Sequence, residues 1–136
     1  MSSTGQRNLE MVIFDFFGAL RSGRYEIAAE MLEPDVRWQG LHEDWVCLGR
    51  DEVLETFRTG IEERRDVDAL EFIRAGDQVV FGARGPGITE VGGEPLEGQI
   101  FNVYTLRHGR IAEIHDYRLR SEALVAAGAA DGADWR

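Results

Sequence analysis

The residues best suited to acid–base chemistry stand near the end of the chain, within GRIAEIHDYRLRSEAL, residues 109–124. Here His115 and Asp116 are adjacent in a strand-like run that then gives way to a helical pattern. Because side chains alternate across a strand, only one member of this pair can face an interior pocket. The spacing therefore disfavours a joint His–Asp dyad and poses the question of which residue faces inward.

A second polar segment, LHEDWVCLG, places His42, Glu43 and Asp44 in a row. Consecutive residues rarely converge on one ion, and no second histidine stands at helical spacing, so we predict no metal site. The segment is instead predicted to be a loop at a pocket mouth, with Trp45 folding over the opening. The single cysteine, Cys47, allows no internal disulfide and fits a reducing compartment.

The composition is that of one folded, soluble domain. Of the 136 residues, 43% are hydrophobic and 29% charged, and no apolar run reaches the roughly 20 residues that span a bilayer. MSSTGQRN lacks the features of a secretory signal, so we expect a cytoplasmic protein. The expected divisions are a disordered N-terminus at residues 1–8, one domain at 9–128 and a flexible tail at 129–136.

The net charge of −10 bears on the partners of the chain. Binding to nucleic acid or to an anionic membrane draws its affinity from clustered Lys and Arg. We therefore expect neither nucleic acid nor a membrane as a partner. The glycine-rich GARGPG and VGGEP segments are predicted to be turns, since neither opens a helix after a strand as a phosphate-binding loop does.

Hydrophobic periodicity predicts the elements that must position these residues. Helical spacing covers residues 9–20, 24–33 and 50–66, and an early strand, DVRWQGL, lies between the second and third helices. Four strand-like segments then form a meander: ALEFIRA, DQVVFGARG, LEGQIFNVYTLR and GRIAEIHDYRL. A short helix, SEALVAAG, follows. The prediction is an α+β domain in which a curved antiparallel sheet wraps around helices as a cone with an internal pocket.

This order of elements, with LxxGRYEIAAEMLEPDVRW, LGRDEVLETF and HGRIAEIHDY, resembles the SnoaL-like branch of the nuclear transport factor 2-like superfamily over roughly residues 8–128. The resemblance implies the cone fold. It leaves the reaction open, because the superfamily includes polyketide cyclases, steroid isomerases, epoxide hydrolases, dehydratases and non-catalytic binding or dimerisation modules.

The resemblance can be tested against the residues of two of these classes. The steroid isomerases use a tyrosine on the first helix and an aspartate base after the first strand. Phe16 stands in the place of that tyrosine, and the place of the base falls near Gly40. Isomerase chemistry of this type is disfavoured, since neither a hydroxyl donor nor a base stands where it is needed.

Limonene epoxide hydrolase resembles this chain more closely in its last strand, whose tryptophan, aspartate and tyrosine correspond to Ile114, Asp116 and Tyr117. Its partner arginine matches Arg84. The aspartate that should follow this arginine by two residues is Pro86 here. The water-activating pair of a strict epoxide hydrolase is therefore incomplete.

The same match implies that Asp116 faces the pocket and His115 faces outward. On the preceding strand, alternation then puts Asn102 inward as the neighbour of Asp116, with Phe101 and Val103 outward. An aspartate among aromatic and aliphatic side chains is costly to ionise, so its pKa should rise unless Arg84 reaches it. Ile111 is predicted to face outward by the same alternation.

Together these inferences predict a protein that binds a hydrophobic or polycyclic small molecule and acts on it by cofactor-free acid–base catalysis of the cyclase, isomerase or epoxide hydrolase type. The alternative is a non-catalytic ligand-binding or dimerisation module. A homodimer through an apolar outer sheet face is expected, with Val79 and Phe81 added to that face if Arg84 points inward. The predicted catalytic residues are Asp116, Asn102 and Arg84. The predicted pocket residues are Phe16, Trp38, Trp45, Phe57, Ile100, Tyr104 and Ile114.

Overall fold

The computed structural model describes residues 4–63, 66–91 and 94–128. The helices are α1 (Thr4–Glu10), a π-helix (Met11–Phe16), α2 (Phe17–Arg21), α3 (Tyr25–Glu30), α4 (Gly49–Glu62) and α5 (Arg120–Ala127). The strands are β1 (Leu32–Gln39), β2 (Val46–Leu48), β3 (Ala69–Ala75), β4 (Gln78–Arg84), β5 (Glu90–Val91), β6 (Glu94–Pro95), β7 (Gln99–Arg107) and β8 (Arg110–Tyr117). None of the helices in these ranges has both the length and the apolar character needed to span a membrane.

The main sheet has six strands in the order β2-β1-β8-β7-β4-β3. Strands β3, β4, β7 and β8 form the predicted antiparallel meander, which is confirmed. The early strand β1 lies parallel to β8 and thereby brings Trp38 beside Ile114. The predicted α+β class is confirmed, although the sheet is mixed because of this one parallel pair. A separate two-stranded hairpin, β5-β6, lies outside the main sheet.

The first helical stretch runs unbroken from α1 through the π-helix to α2, as its apolar stripe predicts. Val12, Phe16 and Leu20 recur every fourth residue and are buried. At the end of the π-helix the backbone N–H of Phe17 donates to the carbonyl of Val12, five residues back. Phe16 and Phe17 both pack edge-on against Phe57 of α4, with ring centroids 5.2 and 6.2 Å apart.

Three predicted boundaries need correction. The first helix begins at Thr4, so disorder over residues 1–8 is wrong for residues 4–8; residues 1–3 and the predicted tail at 129–136 lie outside the described residues. The second helix ends at Glu30, because the chain is already extended at Leu32. The segment predicted to be a loop contains β2, whose three residues pair antiparallel with the end of β1.

The inner face of the sheet and the helices enclose the main core, which includes Tyr104, Leu106, Ile111 and Ile114. Ile111 is fully buried there, so the prediction that it faces outward is wrong. The reason is a β-bulge: Thr105 pairs with Glu113, but the next residue pairs with Ile111. Ala112 is the extra residue, and it reverses the face on which Ile111 lies. The residues of β8 after Ala112 point to the predicted faces.

The outer face of the sheet is covered by α5. Phe101 and Val103 do point outward as predicted, but they are buried against Ala123 and Leu124 of this helix. A paired ion contact fixes the start of α5, because the Arg120 guanidinium donates to both carboxylate oxygens of Glu71 on β3, at 2.8 and 3.0 Å. The homodimer stays a prediction, but the expectation of an uncovered patch at Phe101 and Val103 is wrong.

Two glycines after β4 allow the chain entering β3 to approach closely. A Cβ on Gly87 would lie 2.2 Å from the backbone nitrogen of Asp66, and one on Gly85 would lie 2.5 Å from the Asp66 carbonyl oxygen. The backbone N–H of Gly87 instead donates to that carbonyl at 2.8 Å. Only residues without a side chain permit this contact. It holds residues 66–68 in place, two of which line the cavity described next.

Candidate functional site

Two adjoining open cavities lie between the sheet, α4 and the loop after β1. The Asp116 cavity has a volume of about 910 Å³ and is bordered by Asp116 and Trp45. The Tyr104 cavity has a volume of about 700 Å³ and is bordered by Tyr104 and Phe57. The residues common to both linings are Trp38, Thr56, Gly60, Ile88, Ile100 and Asn102. The two cavities therefore adjoin along these shared residues.

Asp116 is the buried carboxyl group of this site. It stands directly opposite Asn102 in the pairing of β7 with β8. Trp38 Nε1 donates a hydrogen bond to Asp116 Oδ1 at 2.7 Å, and the side-chain amide of Asn102 donates a short hydrogen bond to the same oxygen. Within the described ranges no side chain donates to Oδ2. One carboxyl oxygen is therefore fixed by two N–H donors, and the other is left to the cavity.

The environment of Asp116 alters its acidity. Burial raises the pKa of this carboxyl group to about 7, although the N–H donors of Trp38 and Asn102 act to lower the pKa. Burial prevails because the residue is only 8% exposed. At neutral pH the group therefore exists in both protonation states, and a general acid or base needs this property.

His115 takes no part in this arrangement. Its ring lies on the other side of β8, stacked on Tyr117 with centroids 4.5 Å apart, and its Nδ1 is 3.2 Å from the Tyr117 hydroxyl. Partial burial, and then the positive charge of Arg37, lower the pKa of His115. Strand alternation therefore separates the adjacent pair, as the sequence predicts.

Arg84 is not brought to the site. On β4 the residues that join the main core are Val79 and Phe81, so alternation turns Arg84 toward the opposite face of the sheet. It borders neither cavity. The expectation that Arg84 faces the pocket, and with it the outward placement of Val79 and Phe81, is corrected.

Five of the seven predicted pocket residues border a cavity. Trp38, Trp45 and Ile100 line the Asp116 cavity, whereas Phe57 and Tyr104 line the Tyr104 cavity. The rings of Trp38 and Phe57 lie 4.6 Å apart and form a shared wall. The other two predicted residues, Phe16 and Ile114, are buried in the core and border neither cavity.

An acidic rim, which sequence reasoning did not identify, surrounds the Asp116 cavity. It consists of the exposed residues Asp44, Glu52, Glu55, Glu63 and Glu90. None of the described residues that line this cavity is basic. A signal was present in the sequence, because Glu52 and Glu55 of α4 and Glu63, which directly follows this helix, recur at helical spacing and share one face.

A chain of ionic contacts joins the loop after β1 to the β5-β6 hairpin. His42 Nε2 lies 2.8 Å from Glu94 Oε2, and Arg118 makes a short contact to the other oxygen of Glu94. Hydrogen bonds from Arg118 and then His42 lower the pKa of Glu94. The His42 ring also packs edge-on against Trp45, which holds this indole at the cavity. Across the described ranges, no three potential metal ligands cluster.

Comparison with known proteins gives the family of this chain. The sequence model of the SnoaL-like domain matches residues 13–114. None of the curated proteins matches the chain.

Solved structures show the same architecture. A Jannaschia protein described as a SnoaL-like polyketide cyclase is 22% identical, with a TM-score of 0.64, over 97% of this chain and 98% of that one. A nuclear transport factor 2-like protein from Burkholderia xenovorans is 21% identical, with a TM-score of 0.61, over 93% and 98%. A Kribbella flavida protein described as a ketosteroid isomerase is 16% identical, with a TM-score of 0.58, over 83% and 78%. These structures establish the fold, and the matched domain establishes that the chain belongs to the SnoaL-like family.

Proposed function

We propose that this protein binds a hydrophobic small molecule in its two contiguous cavities and that Asp116 transfers a proton to or from that molecule. The observation that carries the proposal is the difference in hydrogen bonding between the two carboxyl oxygens of Asp116. Oδ1 is held by Trp38 and Asn102, whereas Oδ2 is left to the cavity by the described residues. A carboxyl group held in this way presents one oxygen to a ligand in a fixed orientation.

The proton balance of this step is simple. As the carboxylate, Oδ2 accepts a proton from an acidic C–H or O–H of the ligand; as the acid, it returns that proton to a carbon or oxygen that has become basic. The N–H groups on Oδ1 stabilise the ionised form. Asn102 is therefore a positioning residue, because its side-chain amide donates to Asp116.

Proton transfer of this kind is the step shared by the reactions that the fold family catalyses, including cyclisation and isomerisation. The SnoaL-like polyketide cyclase and ketosteroid isomerase descriptions of similar structures support this class. These descriptions do not identify which reaction of the class the protein would catalyse. The negative charge of the acidic rim favours a neutral or cationic ligand, since an anion would be repelled on approach.

The first test needs no natural substrate. The Asp116 carboxyl carbon is followed by NMR as a function of pH and assigned with the Asp116→Asn variant. The expected pKa is about 7. A pKa near the unperturbed value of ~3.9 would show that the group is solvated or paired, and acid–base catalysis by Asp116 would be rejected.

The second test measures proton transfer directly. β-Tetralone, an apolar bicyclic ketone, is incubated with the protein in heavy water, and loss of its α-protons is followed by NMR. We expect acceleration on the order of a hundredfold over buffer, absent in Asp116→Asn and retained in Glu113→Gln, whose exposed side chain lies on the same strand. Binding without acceleration would favour the non-catalytic ligand-binding module.

A further inference from the structure

Tyr104 carries a buried hydroxyl group for which the fold supplies no partner. The residue is fully buried. Among the buried side-chain nitrogen and oxygen atoms of the described residues, its hydroxyl oxygen is the one without a hydrogen-bond partner. Buried tyrosine hydroxyls usually find a partner, and an unmade hydrogen bond lowers stability. Such a group in a native structure calls for a physical explanation.

The position of Tyr104 points to a ligand as the missing partner. It is the next inward residue after Asn102 on β7 and pairs with Ile114 on β8. It borders the Tyr104 cavity together with Phe17 and Phe81. The ring of Phe17 packs edge-on against Tyr104, with centroids 6.0 Å apart. These aromatic neighbours offer no conventional acceptor, whereas a ligand in the cavity that Tyr104 borders can supply one.

The surroundings also fix the chemical state of this hydroxyl. Burial, and then the negative charge of ionised Asp116, raise the pKa of Tyr104 well above its ordinary value. The group therefore keeps its proton at all physiological pH values. The hydroxyl is therefore a hydrogen-bond donor without an acceptor, and it lies two residue pairs further along β7 and β8 than Asp116.

We propose that the Tyr104 hydroxyl is a specificity-determining donor, and that the ligand is a largely apolar molecule with a hydrogen-bond-accepting oxygen, such as a carbonyl, placed in the Tyr104 cavity. This inference rests on the proposed function and adds a second polar anchor to it. A ligand that spans both cavities is then held at one end by Tyr104 and presents its reacting atoms to Asp116.

A matched pair of probes tests the inference. Methyl naphthyl ketone and isopropenylnaphthalene have nearly the same shape, but only the ketone has an acceptor oxygen. Their dissociation constants are measured by equilibrium dialysis with the wild type, Tyr104→Phe and the control Tyr117→Phe. Tyr117 is a suitable control because its hydroxyl contacts His115 on the outer face.

We expect the wild type and Tyr117→Phe to prefer the ketone by about fivefold and Tyr104→Phe to show no preference. Equal affinity of the wild type for both probes, or a preference that survives in Tyr104→Phe, overturns this inference and leaves the pocket function standing. If neither probe binds, the result contradicts the proposed ligand-binding function itself, and this inference is rejected together with it.

A ligand-free measurement tests the premise separately. If the hydroxyl has no partner in the free protein, Tyr104→Phe has a thermal midpoint equal to or above that of the wild type, since only an unpaired polar group is removed. Tyr117→Phe loses a hydrogen bond and has an equal or lower midpoint. A clear fall in the midpoint of Tyr104→Phe would show that the hydroxyl is already satisfied, and the inference would be rejected.

Discussion

Asn102 and Asp116 face each other directly across β7 and β8, and the side-chain amide of the first donates to Oδ1 of the second. The relationship is set by strand register, so it does not depend on the conformation of a loop. An amide paired with a carboxyl group in this way has a measurable effect on acidity. Each N–H donor removed from the carboxylate should make the ionised form harder to reach.

Replacing Asn102 with leucine should therefore raise the pKa of Asp116 above its value of about 7. Leucine has a similar size but cannot donate, so the change removes one of the two hydrogen bonds that favour the carboxylate. The measurement is the NMR titration of the Asp116 carboxyl carbon. Thr105→Val on the same strand is the control and should leave the titration unchanged. An unchanged pKa in Asn102→Leu would contradict the assigned hydrogen bond.

Stability should fall as pH rises toward neutrality because of Asp116. The folded protein binds the Asp116 proton with a pKa of about 7, against 3.8 for the ordinary carboxyl group. Below about pH 4, Asp116 is largely protonated in both the folded and the unfolded protein, so it does not lower the free energy of unfolding. Between pH 4 and 7 the unfolded chain gains stability by ionising, on the order of 4 kcal/mol in total.

Urea unfolding at a series of pH values checks this expectation. The free energy of unfolding of the wild type should decrease over that interval relative to Asp116→Asn, which cannot ionise at this position. The comparison isolates one group, because all other titrating residues are common to both proteins. Parallel pH profiles for the two proteins would show that burial does not perturb Asp116.

The acidic rim should slow the reaction of Cys47 with anionic reagents. Cys47 is the single thiol of the chain and borders the same cavity as Glu55. Dithionitrobenzoate is doubly negative, so its rate should rise about threefold in Glu55→Gln and also with added salt. The neutral reagent N-ethylmaleimide should react at the same rate in both proteins. Glu26→Gln, an exposed change on α3, serves as the control and should have no effect on either rate.

Helix α5 should prove necessary to cover the apolar outer face of the sheet. Leu124 is 7% exposed and packs on the outer sheet face, whereas its neighbour Val125 is 79% exposed. Leu124→Asp should therefore lower the free energy of unfolding by about 3 kcal/mol, and Val125→Asp should change it little. Size-exclusion chromatography should show association of Leu124→Asp, because Phe101 and Val103 become accessible. A native elution volume for Leu124→Asp would contradict the covering role of α5.

The features that could be predicted from the sequence are those with a clear local period. Side chains point alternately to the two faces of a strand, so residues 100, 102 and 104 of β7 share one face, which is enough to place Asn102 beside Asp116 once the last strand is oriented. The residue pattern around His115 likewise separates it from Asp116. These are consequences of a two-residue repeat and need no knowledge of distant contacts.

The remaining features depend on tertiary contacts. In QVVFGAR, apolar residues occur at both parities, so the segment does not reveal which face meets the core or on which side Arg84 lies. The bulge at Ala112 adds one residue without changing composition, and it reversed the facing of Ile111. The sequence predicts helix α5 as an element, but its docking site depends on residues 20 or more positions earlier in the chain, such as Phe101 and Val103.

The indole of Trp38 has a further use, because its N–H is bonded at 2.7 Å to the carboxyl group whose charge changes near neutral pH. An excited indole responds to a negative charge at its nitrogen, so the emission of this tryptophan should titrate together with Asp116. Tryptophan fluorescence measured against pH would therefore report the ionisation of Asp116, with Trp38→Phe as the control. Because Trp38 borders both cavities, the same signal would record ligand binding in real time.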